Sequence, residues 1–140
     1  MSSRRRRWIA AVLAPPIAVA GWAGFAPIEV STREALFEIP PGTYARRMSG
    51  NLVDILPSRI TLTLGLNDVL LLRNLDEVPQ QFGPTIMMPG QSFRLPFEVA
   101  SENQFDCTAH SSGTMTVIVE PEPVWPWQKI RWRLRQWTNK

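Results

Sequence analysis

Polar and apolar positions alternate through the middle of this 140-residue chain. Ile60, Leu62 and Leu64 are separated by Thr61 and Thr63, the two-residue period of a half-buried strand. Asn67-Asp68 marks a turn, and Val69-Leu70-Leu71-Leu72 is an apolar run that predicts a strand covered on both faces. Pro89-Gly90 predicts the next turn, after which Phe93, Leu95 and Phe97 alternate again. Thr114 to Val119 predicts the closing strand. Short strands at this spacing, with no good helix between them, predict a mainly-β antiparallel sandwich over residues 51–122. Residues 29–50 contain Ile39-Pro40-Pro41-Gly42-Thr43, a helix-breaking stretch, and predict a linker or edge segment.

The two ends follow different rules. From Trp8 to Ile28 there is no charged residue, and Arg4 to Arg7 stand directly before that run. As a helix the run would be about 30 Å long, the thickness of a bilayer core. Arginines on its N-terminal side predict a cytoplasmic N-terminus, with the following domain on the far side of the membrane. Trp8 and Trp22 would sit at the two interfaces. The alternative is a cleaved secretory signal ending near Ala18-Val19-Ala20, and the Pro15-Pro16 pair fits a short signal core or a kinked span. Either way the central domain lies outside the cytoplasm, which for a bacterial inner-membrane protein means the periplasm.

Residues 123–140 predict an amphipathic helix. Trp127, Ile130, Leu134 and Trp137 fall on one face, with Lys129, Arg131, Arg133 and Arg135 around the rest. Trp125 and Trp132 add to the aromatic content, and the segment reads as a basic, tryptophan-rich interfacial helix. Trp8, Trp22, Trp125, Trp127, Ile130, Trp132, Leu134 and Trp137 are therefore the expected contacts to a membrane or a partner subunit. The bland reading of the same helix is a stripe packed on its own domain.

Charge supports this division. Residues 1–28 carry +4, residues 29–124 carry −6 and residues 125–140 carry +5. An acidic body between basic ends argues against a nucleic-acid groove and for membrane contacts at the ends. No glycine-rich phosphate loop, zincin motif or serine elbow is present, so an enzyme is not expected. Asp76-Glu77 reads as a solvent-facing turn pair.

One cysteine excludes a disulfide framework and a four-cysteine zinc site, and one histidine excludes a centre built on several imidazoles. Yet the two stand together in Cys107-Thr108-Ala109-His110-Ser111-Ser112-Gly113-Thr114-Met115. Mononuclear copper electron-transfer sites use a thiolate, imidazoles and a weak axial thioether. A loop with the spacing Cys-x2-His-x4-Met before the last strand supplies three of those four ligands. The unremarkable readings are a buried thiol, a hydrogen-bonded histidine and a core methionine.

With this loop, the chain resembles the cupredoxins, the plastocyanin-like blue-copper family, over roughly residues 36–119. The likeness also includes Gly65-Leu66-Asn67-Asp68-Val69-Leu70, Asn74 to Pro84 and Pro89-Gly90-Gln91-Ser92. It implies a cupredoxin-like Greek-key sandwich and a ligand set of Cys107, His110, Met115 and a further histidine. That first histidine position is held by Gln80. An amide is a poor equatorial copper donor.

The resemblance, together with the apolar N-terminal run and the tryptophan-rich tail, therefore points to a membrane-anchored accessory subunit without a normal copper site, docked, by analogy with the family, on a photosynthetic or respiratory electron-transfer complex. A tethered copper carrier using Cys107, His110 and Met115 is the alternative. A Cu(I)-handling protein, with Met87 or Met88 joining the sulfur donors, is a weaker one. Only one of those adjacent methionines can face the site.

Overall fold

The computed structural model describes residues 18, 19 and 21–138. They fall into two compact units: one is Val30–Glu122, and the other is formed by the described residues before and after it.

The larger unit holds eight strands and one short helix. In chain order they are β1 (Glu34–Ile39), α1 (Thr43–Met48), β2 (Arg59–Thr63), β3 (Val69–Asn74), β4 (Gln80–Phe82), β5 (Thr85–Met87), β6 (Ser92–Pro96), β7 (Ser101–Asp106) and β8 (Thr114–Glu120). One sheet has the order β1-β3-β6, the other β2-β8-β7, and β4-β5 is a separate hairpin. Alternation puts Ile60 and Leu62 of β2 and Met115, Val117 and Val119 of β8 into the interior. Leu70 and Leu72 of β3 and Ile39 of β1 meet them in one core, which Phe82 and Met87 of the hairpin complete. At about 1.5–3 kcal/mol for each large side chain removed from water, this core is the main favourable term for the unit.

The mainly-β sandwich is present, but its sheets are mixed rather than antiparallel. β1 runs parallel to β3, and β2 runs parallel to β8. The two remaining long pairings, β3 with β6 and β7 with β8, are antiparallel. Alternation within a strand says which face is inside; it carries no information on which strand lies alongside, or in which direction.

The segment 29–50, expected as a linker or edge segment, supplies β1 at the edge of its sheet together with α1, and the compact unit spans Val30–Glu122. Pro40, Pro41 and Gly42 do interrupt the chain, but a helix starts immediately after them. β3 is not covered on both faces: Leu71 is only half-buried between Leu36 and Arg94, its register neighbours on the outer side. Such partial cover from adjoining side chains lets an apolar residue stand outward on a sheet.

Turn chemistry joins β2 to β3 as the Asn67-Asp68 pair predicts. Asn67 Oδ1 accepts from Thr63 N at 3.0 Å, and Asp68 Oδ2 accepts from Gly65 N at 2.8 Å. Buried Asp68 also pairs with Arg33, whose Nε donates to Oδ1 at 2.8 Å. Between β4 and β5, Gly83 has φ 53°, and a Cβ there would stand 3.1 Å from the Phe105 ring. A side chain at this position would press on that ring in a backbone conformation suited to glycine.

In the smaller unit, residues 21–25 are helical and the helix ends before Pro27. The expected anchor over 8–28 lies mostly outside the described residues, as does Trp8. Among the described residues, no helix is long and apolar enough to cross a membrane. The expected C-terminal helix is present as α2 (Pro126–Thr138). Pro126 suits its first turn, where its missing N–H is not needed, and Gln128 Oε1 accepts from Val124 N and Trp125 N at 3.1 and 3.0 Å.

Candidate metal centre

Cys107 follows the last residue of β7, and β8 begins at Thr114. The loop between them is tight. His110 N donates to Cys107 O at 3.3 Å, Gly113 N to His110 O at 3.1 Å, and Cys107 N to Gly113 O at 2.8 Å. Gly113 closes the loop with φ 74°, a left-handed conformation that costs glycine little.

Neighbouring elements hold the loop from two sides. On one, Thr108 N donates to Gln81 O at 3.1 Å and Gln81 N donates to Thr108 Oγ1 at 2.8 Å. On the other, Arg47 of α1 donates to His110 O, and Asp54 accepts from Ser111 N and Oγ at 2.7 and 3.0 Å. These bonds keep Asp54 below the usual carboxylate range, the Ser111 amide being the main cause.

The sequence-predicted residues are all buried at this end of the core. Cys107, His110, Met115 and Gln80 are each at most 2% exposed. The His110 ring is fully enclosed, with Nε2 3.2 Å from Leu56 O and from Pro57 O. Both of those are acceptors, so Nε2 carries the hydrogen. Nδ1 is buried without a hydrogen-bond partner. Burial pushes the Cys107 thiol up, against the pull of the Ala109 and His110 N–H groups and the Arg47 cation. Met87 faces the core and Met88 is exposed, so only one of the pair points inward.

Gln80 is committed elsewhere. Its Nε2 donates to Asp76 Oδ2 at 3.0 Å, and its Oε1 accepts from the Thr108 hydroxyl at 2.7 Å. The amide is thus a strut between the segment after β3 and the cysteine–histidine loop. Copper is the group that the resemblance implies, and the fit is incomplete. The thiol of Cys107, the free lone pair at His110 Nδ1 and the Met115 thioether are suitable donors. Gln80 supplies no fourth, because both of its polar atoms serve protein partners. Among the described residues, no three His, Cys, Asp or Glu side chains come together as a metal site.

Asp76 corrects one expectation. It is not a solvent-facing turn residue but is buried, and it accepts from Gly42 N at 2.8 Å, Tyr44 N at 2.9 Å and Glu77 N at 3.0 Å besides Gln80. Burial pushes its carboxyl up, but these donors outweigh burial and hold it below the ordinary range. It thereby anchors the start of α1 to the segment before β4. Asn74 braces that segment too, donating to Val78 O and Met87 O at 2.9 and 3.0 Å and accepting from Asp76 N. In the sequence, Asn74 and Asp76 stand out only as part of the Asn74 to Pro84 stretch that carries the resemblance. For Thr108, Arg47 and Asp54 there is no sequence signal, since their roles depend on distant partners.

No family model matches the chain, and no curated protein matches it. Solved structures do. A purple cupredoxin from Nitrosopumilus maritimus is similar at 19% identity and a TM-score of 0.45, covering 62% of this chain and all of that one. A Cu(I) form of an amicyanin variant is similar at 16% identity and 0.43, covering 66% of this chain and 87% of that one. An oxidised amicyanin variant gives 17% identity with the same score and coverage. These are likenesses of fold at low identity, and the chemistry of this chain rests on its own residues.

Proposed function

We propose that residues 30–122 are a cupredoxin-like module whose metal end has become a hydrogen-bonded junction, with Gln80 where the first ligand would stand. The chain is then not an enzyme and not a normal copper carrier. It serves as a membrane-attached accessory subunit facing the periplasm, docked on a photosynthetic or respiratory electron-transfer complex. The observation that carries the first part is the engagement of both Gln80 amide atoms, by Asp76 and by Thr108. A buried amide so paired would have to break both bonds to turn toward a metal, leaving Asp76 and Thr108 short of partners. The charge division and the tryptophan-rich ends support membrane attachment. The choice of host complex rests on analogy of fold.

The unpartnered Nδ1 of His110 favours a second reading, a tethered copper carrier held by Cys107, His110 and Met115. Copper stoichiometry and visible absorption of the full chain, beside Gln80→His, separate the two. The proposal expects no intense thiolate-to-copper band in the unaltered protein and the appearance of one in Gln80→His. One tightly bound copper with such a band in the unaltered protein overturns it in favour of the carrier.

A further inference from the structure

The smaller unit is built around Arg133. Its guanidinium donates to the carbonyls of Ala23, Ala26 and Pro27, the last two at 3.0 Å, and lies over the Trp22 ring at 5.6 Å from its centre. A cation at a helix C-terminus satisfies carbonyls that have no partner inside the helix. Arg133 therefore ties α2 to the end of the helical residues 21–25. Gly24 permits the close approach, since a Cβ there would lie 3.0 Å from Pro126 Cβ. Ile130, from the predicted apolar stripe, packs at the same place.

That packing engages α2 through Pro126, Ile130 and Arg133 and leaves the large apolar side chains beside them uncovered. Trp22, Phe25, Trp125, Trp127, Leu134 and Trp137 remain exposed, Trp22 at 69% and Trp137 at 83%. On α2, Trp127 and Leu134 lie seven residues apart, two helical turns on one side, and Arg131 stands between them. Isolated exposed apolar residues are ordinary; six large ones in so small a unit mark a contact surface.

We infer that this surface docks on a bilayer bearing anionic lipid headgroups, with α2 lying in the interfacial plane. The inference rests on the membrane attachment proposed above and says which residues meet the lipid and with what charge preference. Charge decides the occupant. Besides Arg133, residues 123–140 carry four further cations and no acid, so a surface of negative headgroups is complementary to the segment. The residue types agree: tryptophan, with an apolar ring and a polar N–H, favours the headgroup boundary, and arginine extends its charge toward phosphate. The chain outside the described residues agrees too. Residues 8–17 are uncharged, follow four arginines, and lead directly into this unit.

The test uses the full chain reconstituted into vesicles of phosphatidylcholine alone or mixed with phosphatidylglycerol, with brominated lipids as quenchers. Three variants each keep one tryptophan, at position 8, 127 or 137, the others being replaced by phenylalanine. The inference expects loss of Trp127 and Trp137 emission to shallow brominated lipid. It also expects that loss to be larger with phosphatidylglycerol and to weaken as salt is added. If Trp8 is quenched while Trp127 and Trp137 are not, the chain is held in the membrane but this surface faces elsewhere, and the inference alone falls. If none is quenched, the membrane reading falls and takes the inference with it. If Trp127 and Trp137 are shielded from iodide in native membranes yet untouched by brominated lipid in vesicles, the occupant is a protein and the inference is overturned.

Discussion

The hydroxyl of Thr108 donates to the side-chain oxygen of Gln80 across 2.7 Å, joining two segments 28 residues apart in sequence. Because the same hydroxyl accepts from Gln81 N and the Gln80 amide donates to Asp76, this single contact links β4, the cysteine–histidine loop and the segment after β3. It makes the loop's position depend on the Gln80 amide.

Removing that amide is therefore costly. Gln80→Leu leaves Thr108 and Asp76 each without one buried partner, and the expected loss is about 2 kcal/mol of unfolding free energy. Gln80→Glu, which keeps the acceptor but sets a second carboxyl against Asp76, is expected to destabilise increasingly as pH rises and both ionise. Urea unfolding at several pH values checks both variants.

Asp76 and Asp68 predict acid sensitivity. Both are held below the ordinary carboxylate range, Asp76 by N–H donors against the effect of burial, Asp68 chiefly by the Arg33 hydrogen bond. A folded value below the unfolded one means that deprotonation favours the native state. The contribution is complete above the unfolded value of about 3.9 and disappears as pH falls through the folded values. Unfolding free energy should be flat for these groups between about pH 7 and pH 5 and decline below about pH 4. Asp68→Asn should be less stable at neutral pH and show a shallower decline. An unchanged slope would remove Asp68 from the explanation.

Cys107 is expected to be slow toward thiol reagents. Its side chain is enclosed and burial raises its thiol, so the reactive thiolate is scarce at neutral pH. Labelling with a disulfide reagent should proceed only as fast as the fold opens, and become rapid in denaturant. Fast native-state labelling at pH 7 would contradict the enclosed position.

Arg133→Gln removes the cation that closes residues 21–25. The expected penalty is about 1–2 kcal/mol, or roughly a tenfold increase in opening of that turn. The Ala26 amide, bonded to Trp22 O at 2.8 Å, is the reporter: its hydrogen exchange should accelerate by about tenfold. Arg133→Lys keeps the charge without the planar fork and should fall between the two.

Much of the fold is legible in single segments. The alternation of Ile60 with Leu62, and of Met115 with Val117 and Val119, assigns the inward faces of β2 and β8 directly. α2 is legible from its spacing, although Ile130 is half-covered while Trp127 and Leu134 stand exposed, a distinction that depends on where Gly24 makes room. The candidate site is legible in part. Cys107, His110 and Met115 share one short segment, and Gln80 is conspicuous only through the resemblance. The role of Asp76 is hidden because its partners Gly42 and Tyr44 lie more than thirty positions earlier.

Periodicity, charge and turn residues act over a few neighbouring positions, which is why strand faces, the basic ends and the tight loop before β8 follow from the chain alone. Sheet direction, the burial of Asp76 and the engagement of Gln80 depend on which distant segments meet. The parallel pairing of β1 with β3 and of β2 with β8 arises only when strands cross between sheets to close a common core. Whether a buried amide faces a metal or a hydroxyl is settled by the hydrogen-bond partners that this closure brings within reach.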